Sequence, residues 1–522
     1  MSAVLAGAPP SRPRRPGRDP RAVARELRVL LVFRLSAGGR DPRRSVALIV
    51  LLALGLGVGV PVGVAVWIAR LTGADNRFDA QLLTPTAWTA FLLTATLAAI
   101  SGAGGRELLS RDRAVAFPVS AAADHLGALA LTPLNVAWSI QAVGLLSLTA
   151  FSLGWTQVLL PALVATALWI AASTAVGQLI GWFTELVRTL RFGRPALWAL
   201  TAASTSGALV VVISGRSIAT LDRLPTTAVY VGSLVTSPGR YVLTQLTVVL
   251  VTAVCVVVAV PLVELLSRRP TLDRNRHEAR HHRRSVVDTS TFRTAVVMDV
   301  RSVLRSPPLC RGLVLLVLTP LGVAVLVELP WSGVLLLPAL VAAGTSLLYG
   351  VNAAALDGRG ALWRESLPEQ PHVRFWARTT AMAMMGGASA ALVVGAAAVR
   401  STSTPSRPET VAAVAAVVVA TTQVVSHCAL WTLQHPFASG LQHPRDTPAP
   451  PARMAAYSLR LSATTTLGAL VLVAAALGGR TSAVLATALV MVLPGAFRLA
   501  RAHRMYLRPD VRARVASTVS GT

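Results

Sequence analysis

The residues His277-Glu278-Ala279-Arg280-His281 carry the most suggestive chemistry in the chain. Two imidazoles four positions apart share one helical face, and the carboxylate between them is placed as a general base for a zinc-bound water. The neighbours work against that use. Arg274-Asn275-Arg276 precedes the motif, His282-Arg283-Arg284 follows it, and Arg280 lies inside it, so the helix has no apolar back to pack and its cations oppose Zn2+. A basic linker drawn to anionic lipid, by about 1 kcal/mol per arginine near the surface, accounts for these residues better. A membrane zinc metalloprotease stays as an alternative reading. Elsewhere Cys255, Cys310 and Cys428 stand more than fifty residues apart, which excludes a disulfide framework or a Cys-x-x-Cys site. All 49 basic residues are arginine. Without lysine there is no phosphate-binding lysine of a P-loop, no Schiff base and no lysine general base. The sequence thus points to no catalytic residues and no metal of its own.

The elements that carry these residues are set by composition. The 522 residues have a net charge of +27 and are 53% hydrophobic but only 14% charged. A soluble domain carries about 25% charged residues, and mean hydropathy is +0.61. A membrane span needs about 20 mostly apolar residues, and about twelve stretches qualify: 45–69, 82–101, 126–150, 156–183, 195–214 and 241–266, then 312–328, 333–356, 376–399, 410–432, 457–477 and 481–499. The predicted fold is an all-α polytopic membrane protein. Arginine marks the cytoplasmic side of membrane proteins. With the N-terminus inside, the outer segments hold 8 arginines (Arg70, Arg77, Arg216, Arg223, Arg240, Arg400, Arg407 and Arg480) and the inner ones 41, which predicts that both termini are cytoplasmic. The first 20 residues read as a disordered basic arm, and no cleaved signal is expected before the first span.

The twelve spans divide into two sets of six, and the halves open alike. Arg25-Glu26-Leu27-Arg28-Val29-Leu30 precedes the first span, and Met298-Asp299-Val300-Arg301-Ser302-Val303-Leu304 precedes the seventh. In the first segment Val23, Leu27, Leu30 and Leu31 oppose Arg21, Arg25 and Arg28; in the second Phe292, Val296, Val300 and Val303 oppose Arg301 and Arg305. Both segments are expected to lie as amphipathic helices in the membrane interface. A second correspondence is the inner loop between spans two and three. Arg106, Arg111, Asp112 and Arg113 lead to Phe117-Pro118-Val119-Ser120, and Asp357, Arg359, Arg364 and Glu365 lead to Leu367-Pro368-Glu369. Pro118 and Pro368 are expected to end a short helix and turn the chain into the next span.

At these residues the sequence resembles the type-2 export permeases of ATP-binding-cassette exporters. Such permeases have a connecting helix before span one, six spans per unit and a coupling loop between spans two and three that often ends in a Leu-Pro-Val-Ser-like phrase. Phe117-Pro118-Val119-Ser120 fits the phrase closely, Leu367-Pro368 only in its first two positions, and residues 224–240 supply the outer hairpin expected between spans five and six. The second half departs from the pattern, since Gly478-Gly479-Arg480 alone joins its last two spans.

The resemblance implies an arm and connecting helix over 1–44, a first half over 45–266, a basic linker with a second connecting helix over 267–311, a second half over 312–499 and a basic cytoplasmic tail over 500–522. It implies a cell-membrane permease for a hydrophobic or amphipathic cargo, non-catalytic and without a bound cofactor. ATP and Mg2+ would be held by a separate ATPase subunit, a dimer. Glu26, Arg28, Asp299 and Arg301 would form the interface helices. Arg106, Arg111, Asp112, Arg113, Pro118, Arg359, Arg364, Glu365 and Pro368 would form the ATPase-coupling loops, with the mixed charges pairing across a wet interface.

Two further classes of function meet opposing residues in the sequence. An ion-coupled carrier usually keeps carboxylates inside the bilayer, and here only Glu264 falls within a span, at its inner end, with Asp124 and Glu328 at edges. His427, with Gln423 one turn earlier, is the titratable group at depth, and a packed, hydrogen-bonded histidine is the reading preferred for it. The carrier remains the alternative within transport. Nucleic acid is disfavoured, because the arginines are spread over seven segments with no aromatic interleaving for bases to stack on.

Overall fold

Long apolar runs satisfy their backbone internally only as helices, and the computed structural model is built of them. It describes residues 20–36, 77–101, 120–130, 132, 136–154, 156–193, 195–197, 199–200, 203–204, 206, 223–234, 237–267, 290–326, 329–348, 350–401, 404–438 and 451–521. Among these residues there is no strand. Expectations for the arm, for the span at 45–69, for most of 195–214, for Arg106, Arg111, Asp112, Arg113 and Pro118, and for the 277–281 motif lie outside the described residues.

The helices are α1 (Pro20–Ser36), α2 (Arg77–Ser101), α3 (Ala121–Ala130), α4 (Val136–Leu153), α5 (Leu159–Arg188), α6 (Pro225–Ser233) and α7 (Pro238–Ser267). Then follow α8 (Thr291–Arg305), α9 (Pro307–Leu326), α10 (Trp331–Val334), α11 (Leu337–Leu348), α12 (Ala361–Ser366), α13 (Pro371–Arg400), α14 (Arg407–Gln434), α15 (Pro451–Leu477), α16 (Thr481–Tyr506) and α17 (Pro509–Ser520). Eight stretches among the described residues are long and apolar enough to cross a membrane: Ala80–Ile100, Leu159–Arg188, Pro238–Ser267, Trp331–Leu356, Pro371–Arg400, Arg407–Gln434, Ala456–Leu477 and Thr481–Tyr506. The protein is therefore an all-α, multi-pass membrane protein. The run expected at 126–150 carries α3 and α4, and that at 333–356 is interrupted, passing from α11 into 3-10 turns at Gly350–Leu356 with Asn352 out of helical geometry.

The chain forms two compact units, one of residues 1–96, 104–194 and 228–272, the other of 97–103, 195–227 and 273–522. In the first, Trp88 stacks on Trp169 with ring centroids 5.1 Å apart, and Tyr230 meets Trp88 edge-on. The Trp169 indole donates to the Trp88 carbonyl at 3.0 Å, so a large apolar surface is buried without leaving that N–H unpaired. Gly177 brings α5 against α2: a Cβ there would stand 2.9 Å from the Ala95 carbonyl carbon and oxygen. Polar pairs join the helices, among them Thr149 with Thr166 at 3.1 Å and Gln81 with the Ser152 carbonyl at 3.0 Å.

In the second unit, small residues of α13 and α14 (Ala390, Ala397, Ala412, Ala416) pack with Val334, Val341, Leu472 and Val484. A separate cluster of Phe375, Leu433, Ala502, Val511, Val515, Ala516 and Val519 seats α17. The segment expected as a basic tail is thus the end of α16 followed by a packed helix, its Val511, Val515 and Val519 falling four residues apart on one face.

Candidate functional site

An acid on the apolar face of an interface helix must find a partner or bear the cost of burial. In α8, Asp299 shares its face with Val296 and Val303, all three buried. Arg364 of α12 donates Nη1 to Asp299 Oδ1 at 2.8 Å and to Asp357 Oδ1 at 2.6 Å. Arg378 of α13 reaches the same oxygens with Nη2, at 3.1 Å and 2.7 Å, and gives Nη1 to the Ala353 carbonyl at 3.1 Å. Ala353 lies in the 3-10 turns that end the interrupted span, and its own N–H donates to Thr432 Oγ1 at 3.1 Å, so side chains satisfy groups that the helix no longer pairs. Two carboxylates and two guanidiniums thereby lock α8, the loop and α13 together. Burial alone would raise the Asp299 carboxyl, but Arg378 and Arg364 beside it outweigh that and hold it below the usual carboxylate range; Asp357 is held down in the same way.

A second ionic group extends from this loop. Glu365 accepts from Arg374 of α13 and from Arg512 Nε of α17 at 2.7 Å, while Arg374 also donates to Glu369 at 3.4 Å. Arg514 donates to the Leu433 carbonyl at 2.9 Å. Among the loop's exposed side chains two are large and apolar, Leu362 at 45% and Trp363 at 67%.

The first unit repeats the connection with fewer charges. Glu26 of α1, one turn from buried Val23, accepts from the Ser120 backbone N–H at 3.1 Å and from its hydroxyl at 2.5 Å. Ser120 Oγ in turn accepts from the Ala123 N–H at 3.3 Å at the start of α3. The acid of each opening motif, Glu26 and Asp299, therefore ties its helix to the chain at or just beyond the loop between the expected second and third spans. Arg28 and Arg301 are exposed on the opposite faces, as the pattern predicts, whereas Phe292 is exposed although it was expected on the apolar face.

The expected coupling residues have unequal places. Arg364 is 5% exposed, with both Nη atoms bonded to carboxylates of its own chain and its buried Nε without a partner among the described residues. Glu365 is likewise engaged within the chain, and Pro368 is exposed. Arg359 belongs to the short 3-10 turn Gly358–Gly360. Sequence reasoning missed Asp357, Arg378, Arg374 and Arg512 as members of the cluster. Its available signal was Arg374 and Arg378 four residues apart at the start of α13, just after Asp357, Glu365 and Glu369.

Deeper in the same unit, His427 Nδ1 donates to the Gln423 carbonyl at 2.9 Å, the local hydrogen bond expected of a packed histidine. Gln423 donates through Nε2 to the Met491 carbonyl and accepts on Oε1 from Arg498 Nη2. Arg498 Nε lies 3.4 Å from Ser426 Oγ. Gly495 allows this approach of α16 to α14, since a Cβ there would come within 2.8 Å of Thr422 Cγ2. Among the described residues no three His, Cys, Asp or Glu side chains converge as a metal site would require.

Compared with known proteins, the chain matches no family model, no curated protein and no solved structure.

Proposed function

We propose that the chain is the membrane permease of an ATP-binding-cassette exporter, two fused six-span halves with both termini in the cytoplasm of a cell membrane. The observation that carries this reading is the repeated tie between interface helix and inner loop, through Glu26 and Ser120 in one unit and Asp299 with Arg364 and Arg378 in the other. A permease driven from outside needs its connecting helix and coupling loop to move as one body, and a buried ionic lock supplies that stiffness. A separate ATPase dimer, holding ATP and Mg2+, would close beneath the two loops. Its differential contacts with the inward and outward states would shift their populations. Trp363 and Leu362 are the side chains the second loop offers it, aromatic exposure of the kind that anchors interfaces. The cargo is hydrophobic or amphipathic.

Co-purification from membranes tests the proposal. It expects a nucleotide-binding partner whose ATP hydrolysis depends on this chain and falls on Trp363→Ala. Transport by the purified chain alone, driven by a proton gradient, would overturn it in favour of an ion-coupled carrier.

A further inference from the structure

A cation within a membrane helix is costly and is kept where something compensates it. Arg498 of α16 has hydrogen bonds only to the neutral acceptors Gln423 Oε1 and Ser426 Oγ, and it forms no ion pair among the described residues. Those two bonds use Nη2 and Nε, so Nη1 is left without a protein acceptor among the described residues. The guanidinium borders an open groove of about 270 Å3 between α14, α15 and α16, lined by Gln423, Thr464, Leu467, Val471, Val490 and Met491, among others.

The lining is ordered along the helices. On α16, Val490 and Met491 come before Pro494 and Arg498, and on α15 Thr464 comes before Leu467 and Val471. These helices run antiparallel across the expected membrane, so the polar residues gather toward the end of α16 that bears Arg498, Arg501 and Arg504, and the aliphatic ones extend toward the bilayer centre. Arg498 is seventeen residues beyond Thr481, which at a rise of 1.5 Å is about 26 Å of a hydrocarbon layer about 30 Å thick. It therefore stands close to the boundary where lipid headgroups begin.

We propose that this groove is a binding site for an anionic phospholipid of the leaflet at the arginine-bearing end of α16. The headgroup phosphate meets Arg498 Nη1, and an acyl chain lies along Leu467, Val471 and Val490. The inference does not rest on the transport reading; it would hold for any multi-pass protein with this groove.

The test uses the full chain, delipidated in mild detergent and titrated with phosphatidylglycerol or phosphatidylcholine under native mass spectrometry. One phosphatidylglycerol is expected to bind the unsubstituted protein at least about tenfold more tightly than phosphatidylcholine, whose phosphate is the same but whose choline ammonium cancels the net negative charge that faces Arg498. Arg498→Gln removes the preference, whereas Arg501→Gln at a neighbouring exposed arginine preserves it. Millimolar inorganic phosphate leaves the lipid bound. Leu467→Trp fills the aliphatic part of the groove and lowers retention with the charge intact, so it decides the matter alone should Arg498→Gln not fold. The proposal is overturned by an unchanged preference in Arg498→Gln, by equal losses in the two arginine variants, by displacement with phosphate alone, or by full retention in Leu467→Trp.

Discussion

Asp299→Asn changes one atom's identity in the most enclosed ionic group of the second unit. The Asp299 side chain is 3% exposed and that of Arg364 6%, and the group balances two carboxylates with two guanidiniums. The substitution leaves a buried excess of one positive charge. Breaking a buried pair costs about 3–5 kcal/mol, and because the amide retains one acceptor oxygen the lower end applies. About 3 kcal/mol corresponds to a fall in Tm of about 5 °C for a unit of nearly 300 residues. Cys428 provides the readout: its thiol is 1% exposed and 2.9 Å from the Tyr457 hydroxyl, so a maleimide dye reaches it only on opening. The assay is run with Cys255 and Cys310 replaced by serine. Removing Arg364 as well, as Asp299→Asn with Arg364→Met, restores one acid facing one base. The double variant should then be more stable than the sum of the single losses by about 0.5–3 kcal/mol. A Tm within about 2 °C of the parent, less than about 1 kcal/mol of change, or strictly additive losses, would refute the ionic lock.

Acid titration gives a second check on the same carboxylates. Both are held below 3.8 in the folded protein, so their stabilisation is complete above that value and is lost as the pH falls through the lower folded values; the deficit of Asp299→Asn, measured by the same dye, should be constant down to about pH 4 and shrink below it. In the first unit, Ser120→Ala removes the start cap of α3 and one donor to Glu26, a loss of about 1 kcal/mol, and hydrogen exchange should show α1 less protected. Gly177→Val drives a side chain into the Ala95 backbone and should cost about 1–3 kcal/mol or more, read as a lowered Tm or lost expression. Trp363→Ala should leave Tm nearly unchanged, within about 0.5 kcal/mol, while weakening retention of the proposed ATPase partner in a pull-down.

The membrane-crossing helices were legible because length and hydropathy alone decide them, as the runs at 241–266, 376–399 and 410–432 show against α7, α13 and α14. The matching motifs at Glu26 and Asp299 were legible as a pattern, and the position of each acid on an apolar face was the sign that it needed a partner. The partner could not be read. Arg364 and Arg378 lie 65 and 79 residues beyond Asp299 and are brought to it by tertiary packing. The break at Asn352 was hidden for a related reason. The run around it is mostly apolar, and the backbone groups of the neighbouring Ala353 are satisfied by Thr432 and Arg378 from distant segments. Arg498 was counted only as an inner-side charge, because its bond to Gln423 spans 75 residues.

Glu365 and Arg512 are 147 residues apart, and that separation orders events in time. Helix α17 is synthesised after every other described element, so the loop around α12 stays without its companion until α17 has left the ribosome. Translation at about 5–20 residues per second makes that interval about 7 to 30 seconds. During it Glu365 and the apolar face of α17's docking site are open to solvent or to a chaperone, and the loop acquires this part of its surface only once α17 has emerged.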